Sequence, residues 1–348
     1  MLNDIVKPLT EWYRQNKRSL PWRDRHNAYY TWVSEIMLQQ TRVEAVKPYF
    51  RRFTEELPDP AALAECPEEK LLKLWEGLGY YNRVRNMQLA AQTVVEEYDG
   101  VLPASYEKLL SLKGIGSYTA GAIASIAYDI PVPAVDGNVL RVITRITEDD
   151  GDIMKQSVKK RIENKLQEIM PGEYPGDFNQ ALMELGAVVC VPNGEPKCDV
   201  CPVAFCCGAR AHGTIDRFPV KAQKKDRKLE DRTVLVIQDG EKTAIRRRPP
   251  RGLLAGLYEL PNLKGHLSEE EVLESVKAME LEPLRIEALP EAKHIFSHIE
   301  WRMTAYRVRV SSLEEIRQND LLFVGKKQSD DQYAIPSAFS AYTKYIRE

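Results

Sequence analysis

Long hydrophobic runs are missing from this 348-residue chain. None approaches the roughly 20 consecutive apolar residues that cross a bilayer, and no segment has the pattern of a secretory signal. No membrane partner is expected, and a cytoplasmic location is. An excess of one charge is missing too, with 49 Lys and Arg against 51 Asp and Glu and a formal net charge of −2. Residues 1–225 taken alone hold 29 basic and 30 acidic side chains. Any affinity for a polyanion must therefore be local. Arg14-Lys17-Arg18, Arg83-Arg85 and Lys159-Lys160-Arg161 are candidates, although such runs are more often solvated faces. Internal repeats and low-complexity segments are absent, which excludes a solenoid or a disordered scaffold. Cysteine is nearly absent except in one stretch: of the six, all but Cys66 lie between Cys190 and Cys207.

What is present begins with Leu112 to Val139. Lys113-Gly114-Ile115-Gly116 places two glycines two apart, before a small-residue helix predicted over Tyr118–Tyr128. Glycine tolerates a positive φ and lets another backbone come close. Successive N–H groups in such a turn, with those of the helix start, make a seat for a phosphate. Twenty residues past Gly116, behind Ile130-Pro131-Val132-Pro133, stands Asp136 in an apolar setting. A phosphate seat followed by one carboxylate suits an enzyme that grips a nucleic-acid backbone and attacks its sugar. The plainer reading is a helix-hairpin-helix that only packs, with Asp136 capping a helix faced by Val139, Val142, Ile143 and Ile146.

Cys190, Cys198, Cys201 and Cys207 read C-x7-C-x2-C-x5-C, with Cys206 a spare beside the last. A disulfide framework does not fit a long chain otherwise so poor in cysteine. Tetrahedral zinc uses C-x2-C pairs, and four thiolates with one close pair equally suit a [4Fe–4S] cluster. Spacing alone does not choose between them. Upstream, Tyr29–Gln40 reads as a helix with Trp32, Val33, Ile36 and Met37 on its apolar face and Glu35 beside that face. A carboxyl against apolar surface loses solvation and can stay protonated as a general acid. The alternative is an ordinary solvated glutamate at a helix edge.

Hairpin, Asp136 and cysteine loop together resemble the endonuclease III superfamily of DNA glycosylases, over roughly residues 1–225. Leu20 to Val43, LPWRDRHNAYYTWVSEIMLQQTRV, resembles the opening motif of its adenine-excising branch, the MutY family. The resemblance implies [4Fe–4S] rather than zinc, and Cys207 rather than Cys206 as fourth ligand because it keeps the family's five-residue gap. The first gap is seven residues where the family has six, and Pro192-Asn193-Gly194 is the turn expected to absorb the extra one. Bifunctional members carry a Schiff-base lysine two positions after the second glycine. Here that position is Tyr118, a phenol that cannot form an iminium, and Ser117 and Thr119 do not replace it. A monofunctional glycosylase is expected. By the same resemblance Glu35 is the catalytic acid, and an ionised Asp136 stabilises the oxocarbenium-like sugar. Tyr118 and Asn138 assist them, while Gly114 and Gly116 meet the DNA backbone. Trp22, Arg23 and Gln180 line the adenine pocket. Gln40 and Tyr80 wedge into the duplex, and Thr41 and Leu78 lie near the opposite base. Without the resemblance, Gln39-Gln40-Thr41 would read as a solvated helix end and Gly77-Leu78-Gly79 as a buried turn.

Near Phe218 the pattern changes. Residues 1–217 read as a helical domain including the cysteine loop 190–207, residues 218–230 as a charged linker, and residues 231–348 as an α/β domain. Thr233–Gln238, Thr243–Arg248 and Trp301–Val310 alternate like strands, Asp239-Gly240 marks a hairpin, and helices are predicted at Ser268–Met279 and Phe339–Ile346. Gly252 to Pro261, GLLAGLYELP, resembles a Nudix domain. Glu269-Glu270-Glu271 and Glu274 lack the arginine-led pattern that holds catalytic magnesium, so nucleotide hydrolysis is not expected. In adenine glycosylases such a domain reads 8-oxoguanine through a Phe-Ser-His hairpin, which Phe296-Ser297-His298 matches. The chain thus reads as a multi-domain protein, an all-α glycosylase with an iron–sulfur lobe followed by a Nudix-like domain. It is expected to act as a monomer on double-stranded DNA holding A:8-oxoG or A:G mispairs, in association with the nucleoid. Two rivals stand beside this: an endonuclease III-type pyrimidine glycosylase/lyase, disfavoured by Tyr118, and a non-catalytic damage sensor, disfavoured by Glu35 and Asp136.

Overall fold

The computed structural model describes residues 2–23, 27–222, 226–311, 317–318 and 320–346. Its contacts divide the chain into two compact units, Met1–Cys66 with Asn82–Gln223, and Pro67–Tyr81 with Lys224–Glu348. The segment 67–81, counted with the helical part in the sequence, thus belongs by contact to the C-terminal unit. Within the expected linker, residues 223–225 lie outside the described residues, and the first strand already begins at Lys228.

Among its described residues the first unit contains helices and no strand. Local signals set the helix starts. Asn27 accepts from the Tyr30 N–H ahead of helix Ala28–Leu38, Asp59 accepts from Ala62 ahead of Pro60–Glu65, and Ser105 accepts from Lys108 ahead of Tyr106–Ser111. Each satisfies one N–H that a helix start leaves without a partner. One core joins the two ends of the unit: Ile5, together with Leu9 and Tyr13 of helix Val6–Asn16, packs with Val139, Val142, Ile143, Phe178, Leu182, Leu185 and Val203. The cysteine loop lies against this core, Cys190, Cys201, Cys206 and Cys207 all touching it. The hairpin helix Ser117–Tyr128 packs on helix Ala28–Leu38 from one side and helix Pro175–Val188 from the other. Its small residues allow this closeness. A Cβ on Gly121 would stand 2.2 Å from the Pro133 carbonyl oxygen, so the loop leading to Asp136 rests directly on the helix.

In the second unit, strands β1 (Lys228–Asp239), β2 (Lys242–Arg247), β3 (Tyr258–Glu259), β4 (Asn262–Lys264), β5 (Pro283–Ile295), β6 (Ile299–Val310), β7 (Arg317–Gln318) and β8 (Leu321–Val324) form one sheet. Its order is β5-β6-β1-β2-β8-β7, with β3 on β2 and β4 on β1. β1 and β6 run parallel, and Asp239-Gly240 makes the expected hairpin with Asp239 opposite Lys242 and Gly240 at φ 58°. Val234 and Val236 face a core with Trp301, Phe339 and Tyr342, while Leu235 and Ile237 face another with Val272, Val276 and Phe323. Both faces are therefore covered, one by helix Glu269–Ala278. That helix opens on a reciprocal capping box of Ser268 and Glu271, so one of the acidic residues has a structural post. The helix expected over Phe339–Ile346 is instead a short helix, Ser340–Thr343, between two 3-10 turns. Packing of Phe339, Tyr342, Tyr345 and Ile346 on one face satisfies the core without regular α geometry.

Candidate active site

Glu35 lies on a helix that is buried nearly all round, and its side chain is only 7% exposed. Burial pushes its carboxyl up to about 7. The Tyr118 hydroxyl, which donates to Oε2, pulls downward; the nearby Asp136 charge pushes further up, and Arg23 pulls down. Tyr118 is the second residue of the hairpin helix, and its hydroxyl also reaches Met183 Sδ at 3.8 Å. Asp136 is the N-cap of helix Gly137–Thr147: Oδ1 accepts from the Val139 N–H and Oδ2 from the Asn138 amide, each at 2.8 Å. Burial raises its pKa, with those two donors and Arg141 opposing. The plainer sequence reading, a capping aspartate, is thus correct as geometry and compatible with a chemical role, because the cap fixes the carboxylate beside Glu35. Asn138 is oriented in turn: Arg141 donates to its Oδ1 at 2.9 Å, to the Gly186 carbonyl at 2.7 Å and to the Cys190 carbonyl at 2.8 Å. A Cβ on Gly186 would stand 2.6 Å from the Asn138 Cβ. A buried acid near 7 beside a second carboxylate can protonate a leaving group while its neighbour meets positive charge.

The two hairpin glycines differ. Gly114 sits at φ 78°, and its Cβ would meet Asn86 at 2.7 Å. Gly116 has extended φ and caps the hairpin helix with nothing within 4 Å of its would-be Cβ. Only Gly114 uses the positive φ that glycine permits, and Gly116 leaves open space at a helix N-terminus. On the flank, Trp22 is 7% exposed and meets Phe50 edge-on at 5.4 Å. Arg23 donates to Glu184 at 2.8 Å, and Gln180 is half-buried on the helix carrying Glu184 and Met183. Gln40 is exposed at φ 60° just past the Glu35 helix, with Thr41 half-buried after it. That helix end is not simply solvated, because Arg83 donates to the carbonyls of Ile36, Met37 and Gln39. Among the other basic candidates, Arg14 pairs with Asp177, Arg18 with Glu184 and Arg161 with Asp149.

In the second unit, Gly77 (φ 99°), Gly79 (φ 69°) and Tyr80 (φ 48°) build a tight turn. Leu78, expected toward DNA, is buried at 5%, whereas Tyr80 is 50% exposed. The turn therefore presents the tyrosine. Phe296, Ser297 and His298 do form a hairpin tip, between β5 and β6. Phe296 packs its ring on His294 at 4.6 Å and on Trp301 at 5.0 Å, while Ser297 and His298 are exposed. Ser297 Oγ lies 3.1 Å from the Tyr80 hydroxyl.

Cys190, Cys198, Cys201 and Cys207 line one apolar cavity of about 30 Å³, with Arg145 and Arg210 at its wall. Arg145 donates to Cys190 Sγ at 3.3 Å. Cys206 is not among the lining residues, and its thiol turns to the Val203 carbonyl at 3.4 Å. Gly194, in the turn expected to absorb the extra residue of the first gap, sits at φ 75° with open space around it. Among the described residues no set of three His, Cys, Asp or Glu side chains is gathered about a single point for one ion. Four thiols around a shared cavity fit a cluster that offers each sulfur a different iron. Glu184, Arg141 and Gly186 are not singled out by the sequence, and Arg83 only as part of a basic run. Only their contacts identify them.

Comparison with known proteins agrees with the two parts of the chain. Residues 33–171 match the family described as HhH-GPD superfamily base excision DNA repair protein, and residues 233–345 match the NUDIX domain. An adenine DNA glycosylase of Mus musculus is 36% identical, the match covering 86% of this chain and 69% of that protein. Another, from Buchnera aphidicola subsp. Acyrthosiphon pisum, is 31% identical over 87% of this chain and 86% of that protein. The solved structure of a trapped endonuclease III–DNA covalent intermediate superimposes with a TM-score of 0.52 at 23% identity, covering 61% of this chain and 96% of its own. That likeness is one of fold.

Proposed function

The chain belongs to the adenine DNA glycosylase family, and from that premise we propose that Glu35 and Asp136 carry the excision of adenine paired with 8-oxoguanine or guanine. As a family member with a base-excision-repair domain it is a DNA N-glycosylase. The observation that carries the residue assignment is the buried Glu35 carboxyl, held by Tyr118 and raised to about 7, beside the capped Asp136. Adenine is first turned out of the stack, which costs a few kcal/mol. Protonated Glu35 gives its proton to a nitrogen of the purine's five-membered ring. The C1′–N9 bond breaks with its electron pair leaving on the base, and the sugar becomes oxocarbenium-like against the Asp136 carboxylate. Water then adds at C1′, and its proton passes to the Glu35 carboxylate, restoring the acid. Tyr118 and Asn138 orient the two carboxyls. Trp22, Arg23 and Gln180 line the base pocket, and Gly114 and Gly116 seat the DNA backbone. Gln40 and Tyr80 enter the duplex.

Cys190, Cys198, Cys201 and Cys207 would hold a [4Fe–4S] cluster, which when bound supplies a cross-link to the loop and a local charge near DNA. The C-terminal Nudix-like domain reads the opposite base through Ser297 at its hairpin tip. The working division is a glycosylase domain 1–217, a linker 218–230 and a reader 231–348, in a monomer acting in the cytoplasm at the nucleoid. The test is adenine release from a duplex with a single A:8-oxoG pair. Adenine should appear with the strand intact until alkali reveals the abasic site. Prompt strand cleavage without alkali, or no adenine release, would refute the proposal.

A further inference from the structure

Glu184 stands one helical turn beyond Gln180, on the same face of helix Pro175–Val188. It is 1% exposed, and both its oxygens are occupied. Oε1 accepts from the Arg18 backbone N–H and Nε, and Oε2 accepts from Arg18 at 3.0 Å and from Arg23 at 2.8 Å. Arg23 is fixed on two further sides. It donates to the Arg18 carbonyl at 3.1 Å and lies 5.4 Å from the centre of the Tyr13 ring. Tyr13 is buried, and burial pushes its hydroxyl up to about 12, so it offers no charge. Burial alone would raise Glu184, but the Arg18 and Arg23 bonds outweigh it and hold the carboxylate ionised. The short stretch Arg18–Arg23, which also carries Trp22, is therefore pinned to the helix of Gln180 through one buried carboxylate.

We propose that Glu184 is the positioning residue of the adenine pocket, fixing Arg23 in the wall and offsetting its charge so that the Glu35 carboxyl keeps its proton. This rests on the reading of Glu35 as the proton donor. The groups that bear on Glu35 are the Tyr118 hydroxyl from the hairpin helix, the Asp136 carboxylate from the helix start, and the Arg23 guanidinium from the pinned stretch. Two of the three, Tyr118 and Arg23, favour the ionised form, and Asp136 opposes them. Arg23 is held in a direct ion pair, with Glu184 at 2.8 Å. With Glu184 neutralised, the Arg23 guanidinium stands uncompensated near a buried acid. It favours ionisation of that acid, so the proton needed for catalysis is held less tightly.

The experiment is the pH dependence of single-turnover adenine excision from an A:8-oxoG duplex at saturating enzyme. Wild type loses rate as Glu35 deprotonates. Glu184→Gln should move that alkaline limb to lower pH by on the order of one unit, the size a single unpaired charge produces at a buried site. Its rate should therefore fall more at high pH than at low. Glu184→Asp keeps the charge and should restore the limb even if binding weakens. In an Arg23→Gln background the limb should rise, and adding Glu184→Gln should then move it much less. A limb unmoved in Glu184→Gln, with only a lowered unfolding temperature, would reduce Glu184 to an ordinary buried ion pair. If Glu184→Gln does not fold, Arg23→Gln still decides, because an unmoved limb there removes the electrostatic link. Wild type that releases no adenine at any pH would instead sink the functional reading itself.

Discussion

Replacing Tyr118 by phenylalanine should move the pH profile in the direction opposite to the one intuition attaches to a lost catalytic contact. The Tyr118 hydroxyl donates to Glu35, and donation to a carboxylate favours its ionised form. Burial nonetheless holds the acid at about 7. Without the hydroxyl, burial and the Asp136 charge act with less opposition, and Glu35 rises further. A hydrogen bond to a charged group is worth about 1.5–3 kcal/mol, and one pKa unit corresponds to about 1.4 kcal/mol. The alkaline limb should therefore move up by roughly one to two pH units. Near pH 8 about a tenth of wild-type Glu35 is protonated, against half or more in the variant, so the variant loses less of its own maximal rate there. The plateau at lower pH can fall, since Tyr118 also helps orient the acid. The position of the limb is the diagnostic quantity. It is measured by single-turnover adenine release across roughly pH 5.5 to 9.5, with Glu35→Gln as baseline. A limb that stays in place or moves down would refute the assignment of the titrating acid to Glu35.

Glu35→Gln and Asp136→Asn should each lower excision by about 10²–10⁴-fold, the usual worth of acid–base assistance, while duplex binding persists. Asp136→Asn should hardly change the thermal midpoint, since asparagine caps a helix as well as aspartate does. Purified protein should contain about four irons per chain, and Cys207→Ser should lose them where Cys206→Ser keeps them, as read by iron content and visible absorption. Ser297→Ala should cost roughly 0.5–3 kcal/mol in preference for 8-oxoguanine over guanine, measured as the ratio of excision from the two duplexes at subsaturating enzyme. An unchanged ratio would move opposite-base reading to other residues.

How much of the fold could be read from the chain depended on whether a signal was local. The hairpin helix, the Asp239-Gly240 turn and the Ser268 capping box declare themselves within a few residues, because each is fixed by φ preference or by a side chain bonding its own backbone. β5 is long yet was not anticipated, since most of its side chains are exposed or half-buried and its pattern lacks the alternation of a covered strand. The placement of 67–81 was equally hidden. Lys73 donates to the carbonyls of Ser329 and Tyr333, and Glu76 accepts from the Ile335 N–H. A lysine on a short helix and a glutamate in the turn after it carry no mark of partners some 250 residues away in sequence.

The site divides along the same line. Glu35 and Asp136 became candidates through the family resemblance of the stretches that carry them, because an acid beside an apolar stripe and a cap after a proline breaker each have a plainer reading. Their coupling was not legible, since it depends on two helices and a loop meeting at one point. The residues that hold the site were the least visible of all. Gly186 reads as an unremarkable helix glycine until a Cβ there is seen to strike Asn138. Glu184 reads as a solvated helix acid until both its oxygens are found occupied by arginines of the first 23 residues. Sequence patterns report the group that performs a reaction, because chemistry restricts the residue type. They report poorly the groups that tune it, because an ion pair or a close approach can be built from many types at many separations. The acid strength of Glu35 belongs to the second kind. Its value near 7 is set jointly by burial, Tyr118, Asp136 and Arg23. Retaining the acid and aspartate motifs alone should therefore preserve the reaction but not its pH range. Glu184 and Tyr118 are the positions from which that range can be moved in opposite directions.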